Sequence, residues 1–209
     1  VICLTAGFHI LQAKDELTGG MLDVKVNGGY EDYGSYLIYG EDTDTLFFTS
    51  SRPVKNRRPI ALAAEIFYST RPASYRETKK ITEGWSKAQR IKMEDSKIAE
   101  FTRGSQAISE DRIIFAAERD LSTETASGTS YLFDLWQMTK RLDGYTLPEP
   151  LSTINDVDAW DSQPSLSTDG KTLFFVTNRS GGAGGLDIWY SVRDAQGNWQ
   201  PPKPVSAIN

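Results

Sequence analysis

An aromatic strand that ends in arginine occurs three times in this chain, and it constrains the fold more than any other feature. The copies are Leu46–Arg52 (LFFTSSR), Ile113–Arg119 (IIFAAER) and Leu173–Arg179 (LFFVTNR). A second aromatic segment follows each copy, beginning at Glu65, Asp134 and Asp187. Strand-forming units that repeat about every 60 residues predict a β-propeller or a similar array, because one unit cannot bury its apolar face alone.

The third copy shows the repeating unit most fully. Its segments are an extended piece at 163–167, an Asp-Gly turn at 168–171, a strand at 172–177, a glycine-rich loop at 180–185, a second strand at 186–192 and an outer segment at 199–206. Asp-Gly turns typically join antiparallel strands. The unit is therefore predicted to be a blade of four antiparallel strands.

The pattern SxDGKTLFFVTNR…GGxDIWYS resembles the TolB-type, WD-like propeller repeat found in outer-membrane-associated proteins of Bacteroidetes-type bacteria. The resemblance covers about residues 29–209, and it is loose in the second repeat, where Ser109-Glu110-Asp111 replaces Ser-x-Asp-Gly. It implies a periplasmic or outer-membrane-associated location, with a peptidoglycan-binding module in another domain or subunit. Propellers carry many unrelated activities, so the repeat by itself identifies a fold rather than a function.

The repeats divide the chain into blades at 28–93, 94–155 and 156–209, which together form one propeller domain. Residues 1–27 are interpreted as three strands of a partial blade, with a helical linker as the alternative. Closed propellers contain about 4 to 8 blades. We therefore predict an all-β, incomplete propeller arc of three full blades and a partial one, the alternative being a small four-bladed ring.

Composition excludes several classes of function. A net charge of −5 argues against a general nucleic-acid binder. No apolar run approaches the roughly 18 residues of a membrane-spanning helix. Cys3 is the only cysteine, so no internal disulfide is expected, and the bulky Ile2 beside it argues against lipidation. His9 is the only histidine, which excludes a histidine-based zinc cluster and, without a Gly-x-Ser-x-Gly elbow, disfavours a serine hydrolase. We expect no cofactor.

Each repeat places an arginine after one strand and an acid at the start of the next. The predicted pairs are Arg52 with Glu65, Arg119 with Asp134, and Arg179 with Asp187. These ends lie side by side in an antiparallel hairpin, so a guanidinium–carboxylate bridge is expected to hold the base of the loop. A structural role is preferred to catalysis.

Three other features of the sequence are candidate ligand sites. The glycine-rich loop 181–185 leads into a strand, so it is interpreted as a hairpin needing positive φ rather than a phosphate loop. The spaced acids Asp156, Asp158 and Asp161 are weak calcium candidates that lack the glycine and distal glutamate of an EF-hand. The basic residues Lys55, Arg57 and Arg58, with Arg76, Lys79 and Lys80, are candidates for an anionic glycan or an acidic partner, the alternative being a solvated face.

The leading functional prediction is a non-enzymatic propeller scaffold of the bacterial cell envelope, which binds a protein partner through loops on one face. One alternative is an accessory domain of a peptidase or hydrolase. The other is a glycan- or ligand-binding propeller.

Overall fold

The computed structural model describes Val26 and residues 32–52, 65–77, 82–92, 103–118 and 133–208. These residues belong to two compact units, the first ending at Ile91 and the second beginning at Lys92. The predicted partial blade at 1–27 lies outside the described residues except for Val26. Within the described part of the chain, no helix is both long and apolar enough to cross a bilayer.

The first unit contains one antiparallel sheet whose strands follow chain order. Its strands are β1 (Asp32–Tyr39), β2 (Thr43–Ser50), β3 (Glu65–Pro72) and β4 (Gln89–Arg90). A short 3₁₀ helix, Ala73–Arg76, follows β3.

The second unit contains two sheets of the same kind. The first consists of β5 (Arg103–Ile108), β6 (Arg112–Glu118), β7 (Phe133–Arg141), β8 (Gly144–Tyr145) and β9 (Glu149–Pro150), with both β8 and β9 pairing with β7. The second consists of β10 (Asp161–Leu166), β11 (Thr172–Thr177), β12 (Asp187–Val192) and β13 (Lys203–Pro204), again in chain order. Within the described residues, the prediction of antiparallel β-sheets is confirmed: two sheets have the predicted four strands, and the middle one has a fifth, β9. This arrangement supports a β-propeller.

The repeated aromatic strand forms the buried centre of each sheet. Phe48, Phe115 and Phe175 occupy the same place in their repeats, and each has no exposed surface. Burying a phenylalanine stabilises a fold by about 1.5–3 kcal/mol. In the second unit, β10 packs against β5, β6 and β7, so the apolar faces of two successive sheets form one core.

The outer strand of the last sheet is shorter than predicted. The expected segment 199–206 contributes strand pairing only at Lys203–Pro204, preceded by an isolated bridge from Trp199 to Arg193. Pro201, Pro202 and Pro204 have no backbone N–H to donate, which limits the ladder that this segment can form.

The first strand of every sheet carries an irregularity at the same place, which the sequence did not reveal. The register shifts between Tyr33 and Tyr36, between Arg103 and Gln106, and between Ser162 and Ser165. Gly34 has φ 61° at this point in β1, and Gln163 has φ 51° at the equivalent point in β10. This bulge is therefore a shared property of the repeats.

Gln163 provides a direct test of the bulge. A β-branched residue is strongly disfavoured at positive φ, so Gln163→Val is expected to lower the free energy of unfolding by about 1–3 kcal/mol. Gln163→Gly matches the residue found in β1 and is expected to change it by less than about 1 kcal/mol. Urea unfolding monitored by tryptophan fluorescence measures both. Equal losses for the two variants would show that backbone conformation is not what this position requires.

Candidate functional site

The arginine that ends the repeated strand contacts several parts of its blade. The Arg179 guanidinium donates to the carboxylate of Asp161 at 2.7 Å and to the carbonyl of Ile154 at 2.7 Å. It lies over the rings of Phe175 and Trp189, 5.1 and 5.2 Å from their centroids. Asp161 has no exposed surface. The arginine thus connects the first strand, the second strand and the segment before them.

Arg52 makes the same set of contacts in the first unit. It donates to Asp32 at 2.8 Å and to the carbonyl of Val26, and it lies 5.0 Å from the ring centroids of both Phe48 and Phe67. We call this arrangement the arginine latch, comprising Arg52 with Asp32 and Arg179 with Asp161. Its recurrence shows that the two repeats are equivalent at the level of individual side chains.

The acid partners predicted for these arginines are wrong. Each arginine stacks on aromatic rings of its own sheet and binds an acid of the first strand. The acid at the start of the third strand has other partners. Glu65 pairs with Arg90 at 2.7 Å, and Asp187 accepts a hydrogen bond from the Gly184 amide at 3.1 Å. Asp134 is buried at the start of β7, while Arg119, its predicted partner, lies outside the described residues.

Two of the three calcium candidates, Asp156 and Asp161, act as structural caps, and the third, Asp158, contributes its backbone amide. Asp161 accepts the latch arginine and the Asp156 amide, and Asp156 accepts the Asp158 amide. Among the described residues, no three histidine, cysteine, aspartate or glutamate side chains come close enough to hold a metal ion.

The glycine-rich loop is held by Asp187. Gly181 has φ 95°, and a Cβ on Gly182 would lie 1.8 Å from an Asp187 carboxylate oxygen. The loop therefore needs glycine for backbone conformation and for space, which fits the predicted hairpin.

The predicted basic loop is mostly outside the described residues, including Lys55, Arg57, Arg58, Lys79 and Lys80. Arg76 is described, and its guanidinium binds the buried Asp44 carboxylate and the Gly40 carbonyl. Arg76 thus stabilises a turn.

A polar cleft of about 1180 Å³ lies among four turns of the second unit, and we call it the turn-face cleft. It is lined by residues 109–111, 140–142, 168–171 and 193–197. The first and third segments join the first two strands of each sheet, and the other two follow the third strands. All four turns therefore lie at one end of the two packed sheets.

Three of the four acids that line the turn-face cleft are engaged within the protein. Asp111 accepts from Ser109 at 2.8 Å, from Arg112 at 2.9 Å and from Arg193 at 3.4 Å. Asp169 accepts from the Ser167 hydroxyl at 2.6 Å and from the Lys171 amide at 3.0 Å. Asp194 accepts from the amides of residues 196 and 198 and from the side chain of residue 200.

These contacts keep the acids ionised. Burial would raise the pKa of Asp111, but hydrogen bonds from Arg112 and Ser109 and the charges of Arg112 and Arg193 lower it to about 2. The Ser167 hydroxyl and the Lys171 amide lower the pKa of Asp169. Backbone hydrogen bonds, first that from Asn198, lower the pKa of Asp194.

Asp111 predicts a specific acid dependence of stability. Its pKa in the folded protein is about 2, below the ordinary 3.8, so its stabilisation is present above pH 3.8 and is lost as the pH falls toward 2. Asp111→Asn is expected to remove this part of the slope. Unfolding measured between about pH 4 and 2 tests it. The exposed Asp143→Asn is the charge-matched control, and an identical slope in both variants would contradict the assignment.

The cations of the turn-face cleft make fewer contacts within the protein than its acids do. Arg193 binds Asp111 and lies over Trp199, 5.6 Å from its ring centroid. Lys140, Arg141 and Lys171 are exposed, and within the described part of the chain their side chains form no ion pair. The exposed Glu110 is the one lining acid that is not engaged in the same way.

The sequence did not identify the turn-face cleft, although one signal was present. The Ser-x-Asp turn occurs at Ser109–Asp111 and again at Ser167–Asp169, and in both the serine hydroxyl donates to the aspartate. The loose second repeat therefore retains this turn without its glycine.

No protein-family model matches the chain, and no curated protein matches its sequence. The structure of an α-L-arabinanase of Penicillium chrysogenum, complexed with arabinobiose, is similar with 10% identity and a TM-score of 0.46, over 84% of this chain and 46% of that one. An α-L-arabinofuranosidase of Fusarium graminearum, also with arabinobiose, gives 13% identity and a TM-score of 0.45, over 86% and 47%. The chain spans about half the length of these proteins.

These findings correct two predictions and part of a third. The non-catalytic scaffold, and with it the prediction that the chain is not an enzyme, is contradicted because the similar solved structures are glycoside hydrolases. The comparisons do not support the TolB-type and outer-membrane parts of the resemblance, whereas the sheet topology of the chain supports the β-propeller. A likeness at these identities and TM-scores does not assign an activity, so a functional proposal depends on the geometry of the chain itself.

Proposed function

We propose that this chain is part of a carbohydrate-binding β-propeller and that the turn-face cleft contacts the glycan. The observation that carries the proposal is the cleft itself, a large concave site whose lining residues are mostly polar or charged. Sugars present dense hydroxyl groups, each of which both donates and accepts hydrogen bonds. Such ligands match a wall of lysine, arginine, threonine and backbone groups.

The polarity of the cleft argues against an apolar ligand. Sites for drug-sized molecules are lined mainly by apolar and aromatic side chains. Here Leu142 and Ala195 are the apolar side chains of the lining. Most of the residues that a ligand would meet are therefore polar or charged.

The size of the cleft favours an oligosaccharide. Pockets for small ligands typically measure about 300–1,000 Å³. The turn-face cleft, at about 1180 Å³, exceeds that range and is open to solvent. Several linked sugar units fill such a space better than one.

Titration of the 209-residue chain with a panel of neutral and acidic oligosaccharides tests the proposal. Saturable binding of at least one class is expected, and reducing ends are measured in parallel so that turnover of the ligand is seen directly. The exposed cleft residues Thr168 and Ala195 are both changed to leucine, which fills the cleft without altering charge. This variant is expected to bind at least about tenfold more weakly.

The matched control changes the exposed Ser152 and Ala207, which do not line the cleft, to leucine. Its affinity is expected to equal that of the unchanged chain. Absence of saturable binding across the panel, or equal affinity of the two double variants, would overturn the proposal.

Other parts of the proposal concern the whole protein. The incomplete arc stays a prediction, and a ring closed by further blades would cover strand edges that otherwise promote aggregation. The periplasmic or outer-membrane location and the peptidoglycan-binding partner stay predictions from the resemblance, and cell fractionation tests them.

A further inference from the structure

One face of the last sheet is apolar and exposed. Side chains alternate between the two faces of a strand, and Phe175 and Trp189 lie in the core shared with the preceding sheet. The alternate residues of β11 and β12 form the opposite face, which we call the open face and define by Phe174, Val176, Ile188, Tyr190 and Val192. Its Phe174, Ile188 and Val192 are 36–41% exposed. Contiguous exposed apolar surface commonly marks a contact site.

The preceding sheet shows what covers such a face. Ile114 and Leu135 stand at the places that Phe174 and Ile188 occupy in the last sheet, as the strand pairings show. Both are fully buried, and they share a core with Phe175 of the sheet that follows. The equivalent face is therefore covered by the next sheet in one repeat and exposed in the other.

The turn that ends at Ile208 carries a second sign of the same contact. It repeats the turn that ends at Ile154, because in both the isoleucine amide donates to the carbonyl three residues earlier. Ile154 is buried, and its carbonyl accepts the guanidinium of Arg179 from the next sheet. Ile208 is instead 66% exposed. The Ile208 carbonyl thus stands where a further sheet would place its own latch arginine.

We infer that the open face is the docking surface for a further propeller blade of the same repeat, joined through the turn at Ile208 and bringing an arginine to the Ile208 carbonyl. This inference is independent of the carbohydrate-binding proposal. The occupant presents an apolar face with an aromatic ring at the place of Phe175, since that is the face that covers Ile114.

A second copy of this chain is not the expected occupant. In each of the three sheets that the structure describes, the ring at this place is already buried, namely Phe48, Phe115 and Phe175. A second copy would therefore have to open one of its own cores before it could offer the matching face.

Extending the full chain supplies the occupant directly. One protein carries an added copy of residues 156–209 at its C-terminus, a second carries a copy of 94–155, and the control carries a Gly/Ser segment of equal length. Hydroxyl-radical footprinting read by mass spectrometry measures the exposure of single side chains. Phe174 and Val192 are expected to react at least about threefold more slowly with an added blade than in the control, because docking removes them from water. The exposed Leu142, outside the open face, should react equally in all three.

A serine on the open face links this protection to the apolar contact. In the protected extended protein, Phe174→Ser should restore the reactivity of Val192 and lower the urea midpoint of unfolding. In the unextended chain the same change should leave the midpoint nearly unaltered, whereas Ile114→Ser, at the covered equivalent, should lower it in both.

Two results would overturn the inference. One is equal reactivity of the open face in the control and in both blade-extended proteins. The other is self-association of the unextended chain in sedimentation velocity that Phe174→Ser abolishes, since a second copy would then be the occupant.

Discussion

Arg179→Ala is expected to lower the free energy of unfolding by about 3–5 kcal/mol, because it leaves the Asp161 carboxylate buried without a cationic partner. The change also removes the hydrogen bond to the Ile154 carbonyl and the contacts with two aromatic rings. Arg179→Lys keeps the charge but not the planar, multiply donating group, so it should recover only part of the loss. Denaturant unfolding at neutral pH gives the values.

Two further variants separate loss of the arginine latch from the loss of a positive charge alone. The exposed Lys203→Ala removes one positive charge without touching the arginine latch and should change stability by less than about 0.5 kcal/mol. Arg52→Ala should destabilise the first unit by the same mechanism, because Arg52 binds Asp32 and a backbone carbonyl in the same way. A loss of under about 1 kcal/mol in Arg179→Ala would contradict the structural role of the latch.

Asn155→Ala is expected to cost about 2–4 kcal/mol. The Asn155 side chain accepts from the Leu135 amide at 2.8 Å and donates to the Leu135 carbonyl at 2.9 Å, pairing with β7 as a neighbouring strand would. Alanine leaves the Leu135 amide without its acceptor, whereas the Leu135 carbonyl loses one of its two donors and keeps the Leu151 amide. Leu135 itself is fully buried, so water cannot readily replace the lost bonds.

Hydrogen exchange at the Leu135 amide provides a local readout for Asn155. Protection of this amide should fall in Asn155→Ala by more than the global loss of stability explains, since the amide loses its own acceptor. The exposed Thr153→Ala in the same segment is the control and should leave exchange unchanged. Unaltered protection in Asn155→Ala would show that the side-chain pairing contributes nothing.

The fold could be read from the sequence because its signals are local and repeated. The strand at 172–177 was predicted with the bounds that β11 has. The Asp-Gly pair before it and the glycine-rich loop after it are typical of turns between antiparallel strands. Trp85 and Trp199 follow a glycine at matching places in their repeats. Both are buried, and the matched carbonyls of Ser86 and Gln200 accept from the serines Ser69 and Ser191.

The arginine partners were mispredicted because the deciding contacts are not local. The acids that bind Arg52 and Arg179 stand 20 and 18 residues earlier, at the start of the first strand of the same sheet. Hairpin reasoning considered only the adjacent strand end. Comparing Asp32 with Asp161 across the repeats would have revealed the recurrence.

The turn-face cleft could not be derived from sequence, because it depends on how two sheets pack. Each of its turns reads as an ordinary solvated connection on its own. Only the packing of β10 against β5, β6 and β7 brings the four turns to one end of the unit. The distinction between engaged acids and open cations also emerges only from side-chain geometry.

The most direct test of the account is to map where a bound oligosaccharide touches the protein. Amide chemical shifts of the full chain, recorded during titration with the tightest-binding oligosaccharide of the panel, are expected to change at 109–111, 140–142, 168–171 and 193–197, the four turns that line the cleft. The glycine-rich loop 181–185, at the other end of β11 and β12, should not respond. Changes centred on that loop, with the four turns unaffected, would contradict the placement of the site.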